Sequence, residues 1–234
     1  MKPLTPVNFV EMLANALGHL PPVVIGTWLV MGILILFALA ARSALASAAD
    51  PTIPDDGATL RHIAEVMAEW LDGFVAQVSE LHGSRRFVPF FGSIFLFILT
   101  ANFFGLIPGM EPPTSDTDLT FAIAAIAFAY YLYQGFKSQG ASYLKSFLGP
   151  VLALTPLMLP IEIADNLFRP FSLGIRLYAN LFADHQVLGL FTTLTYVVVP
   201  IAFYTLGAIV CVVQALVFTI LSISYVRMAS AAHH

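Results

Sequence analysis

The sequence predicts an all-α integral membrane protein with about five transmembrane crossings, an amphipathic interfacial helix and a long C-terminal helical hairpin. Hydrophobic residues make up 59% of the 234 residues and charged residues only 10%, whereas about a quarter of the residues of an ordinary soluble domain are charged. Several apolar runs also reach the roughly 20 residues that a helix needs to cross a bilayer core. We expect one membrane domain over residues 1–234.

The N-terminal segment, residues 1–48, contains the first predicted span at residues 23–41. A cleavable signal peptide is the competing interpretation, because Ala46-Ser47-Ala48 resembles a cleavage site. The polar region before the apolar run is too long for such a peptide, however, and it carries Glu11 as well as Lys2. We therefore predict a transmembrane helix that is retained.

An amphipathic helix is predicted at residues 58–82, after a break rich in proline and aspartate. Its apolar residues recur at helical spacing: Ile63, Val66, Met67, Trp70, Leu71, Phe74 and Val78. A helix with one apolar and one polar face is suited to the membrane surface. We expect this helix to lie along the interface.

The remaining spans follow in two pairs. Residues 87–136 hold the second and third spans, which Pro108-Gly109 separates. Residues 150–228 remain apolar for almost their whole length, with a turn predicted near residues 192–200. This closing segment is predicted to be the long helical hairpin that contributes the fourth and fifth crossings.

The basic residues orient these spans. Seven of the ten lie between the first and second spans, after the third span or at the C-terminal end: Arg42, Arg61, Arg85, Arg86, Lys137, Lys145 and Arg227. The segment 109–118 contains none. Basic loops favour the cytoplasmic side of a membrane. With five crossings, the N-terminus is then outside and the C-terminus cytoplasmic.

The fourth crossing carries a polar stripe with Arg176 near its centre. At 100° per residue, seven polar residues fall within about 120° around the helix: Glu162, Asp165, Arg169, Ser172, Arg176, Asn180 and Asp184. A guanidinium does not lose its proton, and an ionisable residue within a span is by default a candidate functional site. Ala179 and Ala183 on the same stripe leave room for a partner helix. The stripe therefore predicts an ion pathway with acidic groups on both sides of Arg176.

Two other interpretations of the stripe remain open. Its charges could simply neutralise one another within a structural membrane anchor, or they could belong to a secondary ion-coupled transporter. A transporter usually shows two related halves, and no internal repeat is visible in this sequence. Gln214, on the predicted fifth crossing, fits an interhelical contact and a functional role about equally well when considered alone.

Several segments resemble subunit a of the F-type ATP synthases. The segments are PIE at 160–162, RPFSLGIRLYAN at 169–180, ADH at 183–185, QALVF at 214–218, NFFGLIP at 102–108 and PTSDTD at 113–118. The resemblance extends over residues 87–225 and rests on a long, specific motif. It implies a stator whose tilted C-terminal hairpin faces a rotating c-ring, with b-type peripheral stalk subunits and the remaining F0F1 subunits as further partners.

The resemblance also implies a role for Arg176. Two offset aqueous half-channels would meet the ring on either side of the family's essential arginine, which is Arg176 by position. A proton would neutralise a ring carboxylate, travel with the ring, and leave where Arg176 favours the ionised carboxylate. The permanent charge would also block direct passage between the half-channels.

Other site residues follow from the same motif, residue by residue. Glu162 matches the family's acid on the cytoplasmic half-channel, and Ser172 matches the serine one turn from the arginine. Asn180, His185 and Gln214 match polar positions of the opposite half-channel. Two departures are visible.

The first departure is His185, whose position carries an acid in some members of the family. The second is Gly207, which stands seven residues before Gln214 where an ionisable partner is usual. Asp184 is the candidate replacement acid. We include Asp184 and Asp165 among the predicted ion-translocation residues.

The sequence contains no phosphate-binding loop, zinc-protease motif or nucleophile elbow. We expect no catalytic site of its own, no metal and no other cofactor. The net charge of −4 and the absence of a long basic run give no indication of nucleic-acid binding. The N-terminus does not resemble a transit peptide, which favours the inner membrane of a bacterium. Proton is the expected ion, although the ring on another chain would decide between H⁺ and Na⁺.

Overall fold

A computed structural model describes residues 9–16, 20–46, 59–80, 84–107, 109–140, 155–194 and 198–230. These residues form helices and short connections, with no strand among them. The all-α prediction is therefore confirmed for the described part of the chain. Contacts divide the chain into two compact units, Met1–Pro113 and Thr114–His234.

Among its described residues, the first unit contains four α-helices: α1 at Phe9–Ala16, α2 at Pro22–Ala46, α3 at Leu60–Ser79 and α4 at Val88–Phe104. A short 3-10 turn at Ser84–Phe87 leads into α4. The helices α1, α2 and α4 share one apolar cluster formed by Val10, Ala14, Ile25, Val30, Ala101 and Phe104. Burial of these side chains stabilises the unit.

The predicted amphipathic helix corresponds to α3, and residues 58, 81 and 82 of the prediction lie outside the described residues. Thr59 caps its N-terminus, since the hydroxyl accepts a hydrogen bond from the His62 N–H at 3.3 Å. Trp70 stacks on Phe74 with ring centroids 5.2 Å apart, and both rings lie near Phe95 of α4. These aromatic contacts hold α3 against α4.

The described residues of the second unit form α5 at Thr117–Gln139, α6 at Thr155–Leu194 and α7 at Val198–Ser230. These three helices contact one another. The side chain of Asp116 caps α5 by accepting from the Asp118 N–H at 2.8 Å. At the other end of α5, Gln139 Nε2 donates to the Ala229 carbonyl of α7 at 2.9 Å.

Buried residues on α6 and α7 follow helical spacing. On α6 they include Leu173, Leu177 and Leu181, and on α7 they include Cys211, Gln214, Ala215, Phe218, Ser222 and Val226. Spacings of three and four residues place each set on one side of its helix. The opposite side of α6 is left open to a lipid or protein neighbour.

Four described segments are long and apolar enough to cross a membrane: Pro22–Ala46, Ser84–Phe104, Thr117–Gln139 and Ile201–Ser230. They correspond to the predicted first, second, third and fifth spans. The helix α6 is not among them, because its polar stripe lowers its mean hydropathy. The predicted turn near residues 192–200 includes residues 195–197, which lie outside the described residues, as do residues 141–154.

Candidate functional site

Arg176 lies on the open side of α6. Its side chain is exposed, as are those of Ser172, Ala179 and Ala183 on the same stripe. Within the described part of the chain, no salt bridge joins Arg176 to a carboxylate. A guanidinium in this setting is available to a carboxylate from outside the chain.

The side of α6 opposite Arg176 is packed closely against α5. A Cβ atom added at Gly174 would lie 3.2 Å from Cδ1 of Phe121 and 3.5 Å from the Cβ of Ala124, both on α5. Gly174 and Arg176 are about 160° apart around the helix at 100° per residue. The absence of a side chain at Gly174 therefore lets α5 approach the side of α6 that faces away from Arg176.

Asn180 and Gln214 join α6 to α7. Asn180 Nδ2 donates a hydrogen bond to Gln214 Oε1 at 2.7 Å. Gln214 is only 3% exposed, and its Nε2 has no hydrogen-bond partner among the described residues. A buried polar group without a partner costs about 1–3 kcal/mol. Gln214 thus lies beside Asn180 of the stripe, and Asn180 is one turn of α6 from Arg176.

A second guanidinium, that of Arg169, lies in a different environment. Its Nη2 contacts Asp165 Oδ2 at 2.5 Å, and its Nη1 donates to the Tyr131 hydroxyl at 3.3 Å. Its Cζ lies 6.0 Å from the centroid of the Tyr131 ring and 5.7 Å from that of Tyr225, within the range of cation–π attraction. The side chain is only 16% exposed.

Tyr131 is fixed in turn by α6. Its hydroxyl donates to Asn166 Oδ1 at 2.5 Å, and Asn166 is itself buried. Pro170 follows Asn166 by four residues, so it cannot donate the helical hydrogen bond to the Asn166 carbonyl. A cavity of about 10 Å³ lies beside Arg169, Tyr131 and Tyr225, close to the space of a single water.

The predicted site residues differ in their exposure and contacts. Asp165 is exposed and paired with Arg169, Asp184 is half-buried, and Ser172 is exposed. Glu162 and His185 lie within α6, and their side chains are outside what the structure describes. The arrangement brings Asn180 to Gln214.

Three further residues, Tyr131, Asn166 and Tyr225, were missed by the sequence analysis. Asn166 offered a signal, since it is a polar residue about 80° around the helix from Arg176. The tyrosines offered none beyond their type, because tyrosine is common in helices of membrane proteins and its partner depends on tertiary packing.

Comparison with known proteins supplies the family. Residues 24–227 match the family described as ATP synthase A chain. ATP synthase subunit a of Bdellovibrio bacteriovorus is 44% identical over 196 residues, covering 83% of this chain and 85% of the relative. The subunit a of Nitratidesulfovibrio vulgaris is 38% identical, covering 87% and 83%, and that of Trichlorobacter lovleyi is 34% identical, covering 95% and 96%. This chain belongs to the ATP synthase A chain family.

Proposed function

We propose that the chain is the stator a subunit of an F-type ATP synthase and passes protons to and from the carboxylates of a c-ring. The observation that carries this proposal is the Arg176 guanidinium, exposed on a helix side that also carries small alanines. A c-ring helix can approach such a surface closely. Family membership supports the same assignment.

The proposed topology adds α6 to the four apolar spans. The stripe from Glu162 to Asp184 covers 23 residues, or about 33 Å of helix, and a bilayer core is about 30 Å thick. The polar side of α6 would face the ring and water rather than lipid, which offsets its low hydropathy. Five crossings then place the N-terminus outside and the C-terminus in the cytoplasm of a bacterial cell, with α6 and α7 as a tilted hairpin facing the ring.

The proposed mechanism uses the permanent charge of Arg176. A proton from one aqueous half-channel neutralises a ring carboxylate, which can then move through the lipid. When that carboxylate reaches Arg176, the positive charge stabilises its ionised form and the proton leaves through the other half-channel. Since the guanidinium keeps its own proton, it passes none between the half-channels and repels protons electrostatically. Ion flow is thereby coupled to rotation and ATP synthesis.

We assign the remaining residues by position along the stripe. Glu162 would serve the cytoplasmic half-channel, and Ser172 would lie between it and Arg176. Asp165, which the sequence analysis grouped with them, is paired with Arg169. The opposite half-channel would use four polar residues, three of them beyond Arg176 on α6 and one on α7: Asn180, Asp184, His185 and Gln214. The Asn180–Gln214 hydrogen bond at 2.7 Å supports a shared role for these two amides. The b-type stalk subunits and the other F0F1 subunits are proposed partners, and ATP chemistry would take place on other chains.

A bulky side chain at Ala179 tests whether the stripe faces the ring. Ala179→Trp should strongly reduce ATP-driven proton pumping in vesicles containing the assembled complex, because the indole fills the space left for a ring helix. Ala129→Trp is the matched control, since Ala129 is exposed on α5; it should leave pumping near the parental rate. Pumping should be measured together with the amount of c-ring that co-purifies. Equal pumping by the two variants would show that the ring contacts another surface.

A further inference from the structure

The stripe contains two arginines that the helix geometry alone does not distinguish. Arg169 and Arg176 are seven residues apart, which places them about 20° apart around α6 and about 10 Å apart along it. Both guanidinium groups are permanently charged. A ring carboxylate attracted to Arg176 would therefore also be attracted to Arg169 if the second side chain extended in the same direction.

The contacts of Arg169 turn its charge toward its own bundle. Asp165 supplies the opposite charge at 2.5 Å, and the rings of Tyr131 and Tyr225 lie 6.0 and 5.7 Å from the guanidinium carbon. Asn166 holds the Tyr131 hydroxyl in place at 2.5 Å. Arg169 is thus bound from α5, α6 and α7, whereas Arg176 is exposed.

We propose that Asp165, Tyr131 and Tyr225 sequester the Arg169 guanidinium, so that the stripe presents the ring with the charge of Arg176 and not with that of Arg169. Asp165 is then a positioning residue that acts through Arg169. This inference rests on the proposed function, because it concerns the attraction of a ring carboxylate to α6.

The reason for sequestration is electrostatic. A second uncompensated cation about 10 Å from the first, at the effective dielectric of a protein interior, changes the energy of a passing carboxylate enough for about a tenfold change in rate. A carboxylate held between two cations would leave the stripe slowly. When Asp165 neutralises Arg169, Arg176 alone attracts the ring carboxylate and favours release of its proton.

The inference is tested by asking whether removal of the Arg169 charge suppresses the pumping defect of an Asp165 variant. Asp165→Asn should lower ATP-driven pumping about tenfold in vesicles, since it frees the Arg169 charge. Adding Arg169→Gln to Asp165→Asn should restore pumping to near the parental rate. Adding Arg169→Lys instead should not restore it, because lysine keeps a positive charge.

The pumping rates of these three variants distinguish this inference from a direct ion-carrying role of Asp165 and from a packing role of Arg169. Parental pumping by Asp165→Asn would overturn the inference, and so would a double variant with Arg169→Gln that stays slow. If Asp165→Asn prevents assembly with the c-ring, Tyr225→Leu replaces it, with the same suppression by Arg169→Gln expected. Normal pumping by Arg176→Ala would instead overturn the proposed function, whatever the outcome at Asp165.

Discussion

Replacing Arg176 with alanine should reduce ATP-driven proton pumping to the background of vesicles without ATP. The guanidinium is the exposed cation of the stripe, and no described carboxylate of the chain neutralises it. Without it, a ring carboxylate has no opposite charge at the stripe to favour its ionised form. The barrier between the two half-channels would also be lost, so any gradient that formed would leak.

The matched control for Arg176→Ala is the double variant Asp165→Asn with Arg169→Gln, which removes a positive charge two turns away on the same helix together with the carboxylate that binds it. We expect this variant to pump near the parental rate, because removing the ion pair as a unit adds no uncompensated charge to the stripe. Both complexes should retain the c-ring on purification, which separates a coupling defect from failed assembly. Normal pumping by Arg176→Ala would leave the proposed function without its central group.

Replacing Gln214 with leucine should produce the second-largest effect. The change removes the acceptor of the Asn180 hydrogen bond at 2.7 Å and introduces an apolar group beside the stripe. A net loss of about 1.4 kcal/mol, within the range for one hydrogen bond, would correspond to about tenfold slower pumping. The rate of ATP-driven pumping at equal complex content is the appropriate measurement.

Val213→Leu is the control for Gln214→Leu, since it adds the same side chain at the neighbouring position, which is 50% exposed. We expect it to pump normally. Gln214→Asn, which keeps an amide, should fall between the leucine variant and the parent. If the Gln214→Leu complex pumps at the parental rate, Gln214 is an ordinary interhelical contact without a role in ion transfer.

The elements of the fold could be predicted from the sequence because apolar length and helical spacing are local properties. The second and third spans, predicted within residues 87–136, correspond to α4 at Val88–Phe104 and α5 at Thr117–Gln139. The count of crossings could not be fixed in the same way. The helix α6 combines the length of a span with a polar stripe, and hydropathy alone does not assign such a helix to the membrane.

The candidate site shows a similar limit. Helical geometry placed Arg169 and Arg176 on one stripe, yet the structure leaves the Arg169 side chain only 16% exposed and that of Arg176 exposed. The difference arises because the rings of Tyr131 and Tyr225 lie beside the Arg169 guanidinium. Tyr131 is 38 residues from Arg169 in the chain, and spacing within one helix carries no information about that contact.

The distance between the Arg176 guanidinium and the nearest ring carboxylate, measured in a density map of the assembled complex, tests the central claim most directly. We predict that Arg176 points at the ring and comes within about 4–6 Å of a carboxylate, the range in which opposite charges favour ionisation. A map in which Arg176 faces lipid, or is enclosed by α5 and α7 with no ring surface beside it, would contradict the proposal.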